Sequence, residues 1–321
     1  MTNYKAPSSK NWTGRISEDQ QYIHEKIECT SLEDNLEIVQ SKSFALLGYA
    51  CDEGVKRNKG RTGAVDGPNI IKKTLAPMPN PLSKKRHFYD FGNIECLQEN
   101  LETTQENLSN TVSQILEKKC FPIVIGGGHD IAYGHYNGIK KSIGNNKRIG
   151  IINFDAHFDL RSDENGSNSG TPFYQIAKDC ESDKMPFHYL CLGIRKDANP
   201  KILFKTAKKL GVKHIKNENF NLPNYKRIAK KIDSFISKVN VVYVTIDLDG
   251  FSSAYAPGVS AASPMGFAPS IVLKCLQKII ASKKLISLDL AEFNPKYDRD
   301  NQTAKLASSL IHFTLSNHNQ L

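Results

Sequence analysis

No run of apolar residues in the sequence approaches the roughly 18 needed to cross a bilayer, which excludes a helical membrane span. The opening stretch, MTNYKAPSSKNWTGR, lacks the apolar segment that directs export, so a cytoplasmic location is expected. There is no C-x-x-C pair either: the seven cysteines, at 29, 51, 96, 120, 180, 191 and 275, stand singly. An odd, unpatterned set without an export signal predicts reduced thiols rather than a disulfide framework. Two of them, Cys191 in FHYLCLGI and Cys275 in IVLKCLQKII, lie in apolar runs that predict burial. Internal repeats and low-complexity linkers are also missing. Positive charge is not scarce: 43 Lys and Arg against 33 Asp and Glu give a formal net charge of +10. Yet the lysines are scattered (KKSIGNNKR, KTAKK, KRIAKK), with no interleaved aromatic platform and no zinc-finger or RNA-binding signature. That predicts a solvated basic surface and no nucleic-acid partner.

What is present is the composition of an ordinary globular protein, 39% hydrophobic and 24% charged over 321 residues. Such a chain can bury a sizeable core without disulfides or structural metals. Short β-rich apolar runs alternate with longer amphipathic stretches. The runs are SFALLGYA, RHFYDFG, FPIVIGG, RIGIINFDAH, HYLCLGIR, VKHIK, VVYVTIDLD and LISLDLAEF. Residues 100–119, 130–142, 171–180, 225–238 and 269–282 read as helices. The alternation predicts an α/β fold: a single-domain, open, mostly parallel β-sheet of about eight strands with helices on both faces. Residues 1–40, the least regular part, are expected to form an N-terminal extension packed on a domain spanning 41–321.

The informative feature is where the acidic and histidine residues fall. Four clusters sit just past apolar strands: GGGHD (126–130), NFDAHFD (153–159), IDLDG (246–250) and AEFNP (291–295). In an open parallel sheet the carboxyl ends of strands face the ligand crevice. In an extended backbone, residues two apart point the same way, so Asp155, His157 and Asp159 can face one point, and Asp247 and Asp249 can join them. His129 follows three glycines that permit a sharp turn. Taken singly, each cluster has an ordinary explanation: a loop histidine, a surface turn, a helix cap. Two imidazoles and four carboxylates without a thiolate suit Mn²⁺ and similar divalent ions. A single ion cannot use six protein ligands and keep a site open for water, and four uncompensated carboxylates would repel one another. Two ions relieve both difficulties.

These clusters resemble the ureohydrolase family (arginase, agmatinase and formimidoylglutamase), over about 44–307. The resemblance implies an arginase-like three-layer fold, two Mn²⁺ per subunit, a small amidine or guanidine substrate and a homo-oligomer. It puts His129 and Asp159 on one ion and His157 and Asp249 on the other, with Asp155 and Asp247 bridging. Glu292 would face the amidine, and Asp159 would pass a proton to the leaving amine. Further segments are similar to the formimidoylglutamase branch: WTGR (12–15), NKGRTGAVDGP (58–68), GGGHDIAYGHY (126–136), DAHFDLR (155–161), SGTPFYQ (169–175), AYAPGVSA (254–261) and NQTAKLA (301–307). By that likeness the reaction is hydrolysis of N-formimidoyl-L-glutamate to L-glutamate and formamide. Ser169 stands where agmatinases and arginases carry a histidine, and Ala198 where arginases carry an aspartate. Arg61, Arg161, Arg195 and Ser169 are the candidate substrate contacts, since a guanidinium grips a carboxylate bidentately. The alternatives are agmatinase or another guanidino-acid ureohydrolase, and a metal-binding scaffold without activity.

Overall fold

A computed structural model describes residues 3–34, 39–144 and 146–318; residues 1–2, 35–38, 145 and 319–321, among them parts of the expected N-terminal extension, lie outside the described residues. The eight expected strands are all present, as β3 (Phe44–Ala50), β4 (Phe88–Glu95), β5 (Phe121–Ile125), β6 (Ile149–Phe154), β7 (His188–Ile194), β8 (Lys213–Lys216), β9 (Val241–Asp247) and β10 (Leu285–Ala291). Two short strands precede them, β1 (Tyr4–Lys5) and β2 (Ile27–Cys29), so the sheet has ten strands among the described residues. Both were missed because two or three residues carry no measurable periodicity; each exists by pairing with β4. The order β1-β4-β3-β5-β10-β9-β6-β7-β8, with β2 also on β4, is parallel throughout except for the β1–β4 pair.

The helices are α1 (Ile23–Lys26), α2 (Glu53–Arg57), α3 (Gly67–Leu75), α4 (Leu101–Glu117), α5 (Ile131–Ile143), α6 (Pro172–Ser182), α7 (Lys201–Lys209), α8 (Tyr225–Ile236), α9 (Pro269–Ala281) and α10 (Gln302–Asn317). Their starts follow local chemistry. Asn100 caps α4 by accepting from the Thr103 amide at 3.0 Å, and Pro opens α6 and α9, where a missing N–H costs nothing.

The central strands alternate their side chains between two cores. Phe44, Leu46, Ile123, Ile125, Val242 and Val244 face one core together with α3, α8, α9 and α10. Ala45, Leu47, Val124, Ile151 and Tyr243 face the other with α4, α5, α6 and α7. Burial on both faces explains why these strands read as continuous apolar runs. Cys191 and Cys275 are fully buried, and all seven thiols are free.

At the β4 edge, the N-terminal residues are fastened by a buried polar knot. The Lys72 ammonium donates to Asp90 Oδ1 (2.6 Å), the Gly92 carbonyl (2.9 Å) and Asn93 Oδ1 (3.0 Å), while Trp12 Nε1 donates to Asp90 Oδ2 (2.8 Å). Trp12 comes from WTGR, a segment whose role the sequence left open.

Candidate metal centre

The four clusters follow β5, β6, β9 and β10, which are neighbours in the sheet in the order β5-β10-β9-β6. Their carboxyl ends therefore open into one crevice. Local backbone then aims each side chain. Gly127 adopts φ +72°, and a Cβ there would come within 2.5 Å of the Tyr49 ring and 2.7 Å of the Cys51 carbonyl, so only glycine permits this turn into His129. Asp159 (φ +47°) and Glu292 (φ +67°) also lie in the left-handed region, uncommon for residues bearing a Cβ. Glu292 directly follows the end of β10 and Asp159 lies in the loop after β6, and both residues line the pocket beside the cluster.

His129 Nδ1 lies 3.2 Å from Asp155 Oδ2, 2.8 Å from Asp159 Oδ2 and 3.1 Å from Asp247 Oδ2. His157 Nδ1 lies 3.5 Å from Asp155 Oδ1 and 3.3 Å from Asp249 Oδ1. The donors thus form two groups, His129–Asp155–Asp159–Asp247 and Asp155–His157–Asp249, with Asp155 in both. Ligands about 2.1 Å from an octahedral ion sit about 3 Å apart, close to these spacings. His129 Nδ1 and Asp249 Oδ1 are buried without a hydrogen-bond partner, a costly state that a bound cation removes. The donor set fits two divalent ions.

Supporting contacts fix the donors. His129 Nε2 sits 2.9 Å from Thr245 Oγ1, which leaves Nδ1 for the cluster. Phe173 of SGTPFYQ packs edge-on against the same ring. Asp155 Oδ2 accepts from Asn153 Nδ2 (2.9 Å) and its Oδ1 from the His157 amide (2.7 Å). Asn199 holds the turn by accepting from the Phe158 amide and donating to the Ala156 carbonyl. Glu292 Oε1 accepts from the His129 amide at 2.9 Å. Thr245, Asn153 and Asn199 went unrecognised in the sequence. The first two carry the legible signal that polar residues two before a strand-end aspartate share its face.

Burial, reinforced by Asp249, pushes the Glu292 carboxyl up to about 8. Burial likewise raises Asp247, with Asp249 and Asp155 adding to it, and raises Asp159, with Asp155 adding. For His129 burial opposes the charge, but Asp155, Asp159 and Asp247 outweigh it and raise the pKa; Asp249 and Asp155 do so for His157. Asp155 is held below the usual carboxylate range, burial notwithstanding, by the two imidazoles. Without ions, the three raised carboxyls keep protons that the unfolded chain releases above about pH 4. The two imidazoles keep theirs above the unfolded value of about 6.5. Both contributions to stability are full at low pH and are lost as pH rises toward the folded values. Asp155 acts in the opposite direction, but only in acid. The melting temperature of chelated protein should therefore fall from about pH 5 to about pH 9, and saturating divalent metal should abolish the fall. A flat or rising profile for the chelated protein in a dye-monitored melt would contradict this reading.

Beside the cluster lies a pocket of about 200 Å³, lined in part by His157, Asp159, Asp247, Asp249 and Glu292. Arg161 and Ser169 line it, as do Asn58, Ala198 and Asn199. Arg61 and Arg195 do not. Arg61 donates to the Ser260 and Val259 carbonyls (2.9 and 2.8 Å) and stacks on Tyr297, while Arg195 pairs bidentately with Asp197 (3.0 and 2.7 Å). His135, buried in α5, meets Asp289 Oδ2 at 2.6 Å in the sheet rather than the pocket.

A family model described as the arginase family matches residues 42–316. The chain is 40% identical to formimidoylglutamase of Clostridium tetani, over 96% of this chain and 94% of that one. Its fold is similar to that of formimidoylglutamase from Bacillus subtilis, with a TM-score of 0.82 at 22% identity, covering 95% of this chain and 94% of the other. It is also similar to Trypanosoma cruzi formiminoglutamase with Mn²⁺, with a TM-score of 0.77 at 22% identity over 87% and 94% of the two chains.

Proposed function

The chain belongs to the arginase family, and on that premise we propose that it hydrolyses the amidine C–N bond of N-formimidoyl-L-glutamate, giving L-glutamate and formamide. The observation that carries the reading is the pair of donor groups sharing Asp155 at the foot of a pocket whose outer wall offers the Arg161 guanidinium. We take Mn²⁺ as the metal, in line with the oxygen and imidazole donors. His129 and Asp159 would hold one ion and His157 and Asp249 the other, with Asp155 and Asp247 between them. When bound, two such ions lower the pKa of water and supply hydroxide near neutral pH.

The chain's own residues would do the rest. Glu292, whose carboxylate lines the pocket, would orient the positive amidinium. Asp159 would carry the proton to the departing amine nitrogen, because it touches both His129 and the pocket. Arg161, exposed at the mouth, would meet a substrate carboxylate. Ala198 leaves no anion there to hold a substrate's amino group. We further take residues 1–40 as an extension packed on the 41–321 domain, supported by the Trp12 and β1–β4 contacts. The proposed setting is a cytoplasmic homo-oligomer acting on a small molecule; no described helix is long and apolar enough to cross a membrane.

Purified, Mn²⁺-loaded protein should release formamide and glutamate from N-formimidoyl-L-glutamate, and a chelated sample should release neither. Agmatine and arginine, run in parallel, should be turned over at most weakly. Strong activity on agmatine with none on formimidoylglutamate would make the enzyme a guanidine hydrolase. Silence on all three with metal bound would favour the scaffold reading.

A further inference from the structure

Ser169 is buried and lines the pocket, yet its hydroxyl proton has no acceptor among the described residues. The reason lies on α2's far end. Asn58, which caps that helix and also lines the pocket, donates from Nδ2 to Ser169 Oγ at 3.1 Å. A serine oxygen that accepts there must direct its own O–H elsewhere. The Ser169 amide is already committed to the Gly54 carbonyl (3.0 Å), so the residue is held at both ends by the same short helix. Gly170, next in sequence, has no side chain to intervene. A Cβ there would lie 2.8 Å from Arg161 Cδ, 3.1 Å from Arg161 Nε and 3.2 Å from Asn58 Nδ2. The guanidinium stem, the amide and the hydroxyl therefore converge across one bare Cα. The three groups present donors, whereas the pocket's carboxylates, Asp159, Asp247, Asp249 and Glu292, belong to the metal side. A buried donor without an acceptor is costly unless a ligand supplies one.

We propose that Asn58 is a positioning residue that fixes the Ser169 hydroxyl as a hydrogen-bond donor to one carboxylate of the substrate. This rests on the reading that the substrate is a dicarboxylate amidine. It makes Ser169, where relatives of other specificity carry histidine, part of anion recognition, and it makes a residue more than a hundred positions away responsible for its direction. The isosteric change Asn58→Asp would set an acceptor opposite the hydroxyl instead, reversing it and adding a repelling charge.

The test is calorimetric binding of L-glutamate to Mn²⁺-loaded wild type, Asn58→Ala, Ser169→Ala, Asn58→Asp and the Asn58→Ala/Ser169→Ala double variant, with hydrolysis kinetics alongside. A hydrogen bond to a charged group corresponds to about 10-fold or more in affinity. Asn58→Ala and Ser169→Ala should each weaken glutamate by about that factor, with the loss in hydrolysis falling on KM rather than kcat. The double variant should be no worse than Ser169→Ala, because the effect of Asn58 passes through Ser169. Asn58→Asp should be the weakest binder. The variant effect should vanish for either 4-aminobutyrate or 2-aminobutyrate, whichever lacks the recognised carboxylate. Unchanged glutamate affinity, no binding by the wild type, losses that multiply in the double variant, or a fall in kcat at constant KM would each overturn the proposal. The predicted binding pattern without any hydrolysis of formimidoylglutamate would instead remove the proposed reaction and leave the subsite standing.

Discussion

Asp155→Asn should give a folded protein that hydrolyses formimidoylglutamate on the order of 10³-fold more slowly and loses metal on dialysis. Asp155 belongs to both donor groups, so no other single carboxylate in the cluster touches as much of the site. Its two oxygens are also committed beneath the metal side, Oδ2 to Asn153 Nδ2 and Oδ1 to the His157 amide. An asparagine amide must turn its NH₂ toward one of those donors, where two N–H groups oppose each other. Either orientation disturbs His157 or the β6 end, and the charge shared between the two groups is lost. Metal content by mass spectrometry, read beside kcat, separates failed loading from failed chemistry. A variant keeping two ions and a tenth of the wild-type rate would remove Asp155 from the centre of the mechanism.

Lys72→Met should destabilise the fold by about 3–5 kcal/mol, the cost of leaving a buried charge without its partner. Lys72 and Asp90 are each almost wholly removed from solvent, 1% and 0% exposed. Asp90 would keep the Trp12 indole and the Gly92 amide as donors but lose its counter-charge. Because Trp12 is the only tryptophan, its fluorescence reports the N-terminal anchor directly. Urea titration should show a lower midpoint and an earlier change in Trp12 emission. A Lys72→Met/Asp90→Leu double variant should recover only part of the loss: it removes the unpaired charge but leaves the Trp12 indole and the Gly92 amide without their acceptor. A loss below about 1 kcal/mol in the single variant would show that the pair contributes no net stability.

The eight long strands were legible because burial on both faces imposes apolar runs, and helices α4, α5, α6, α8 and α9 because one face of each packs on the sheet. The short β1 and β2 were not, because their existence depends on β4 and on little within themselves. The same division runs through the site. His129, Asp155, His157, Asp159, Asp247, Asp249 and Glu292 stood out by their position at strand ends. Arg61, Arg161 and Arg195 looked alike in sequence, since nothing local distinguishes an arginine that meets ligand from one held by its own chain. The structure separates them: Ser260, Val259 and Tyr297 take Arg61, Asp197 takes Arg195, and Arg161 faces the pocket.

By itself, then, the sequence determined the α/β class and the chemistry gathered at four strand ends, because both follow from patterns a few residues long. Tertiary structure alone decided that β5, β10, β9 and β6 lie side by side, bringing together groups separated by as much as 163 positions, as the Glu292 carboxylate and the His129 amide that donates to it are. It alone decided that Asn58 reaches Ser169 and that Lys72 and Trp12 meet on Asp90. Strand order and long-range hydrogen bonds are set by how whole elements pack, and no local periodicity encodes which element will be the neighbour.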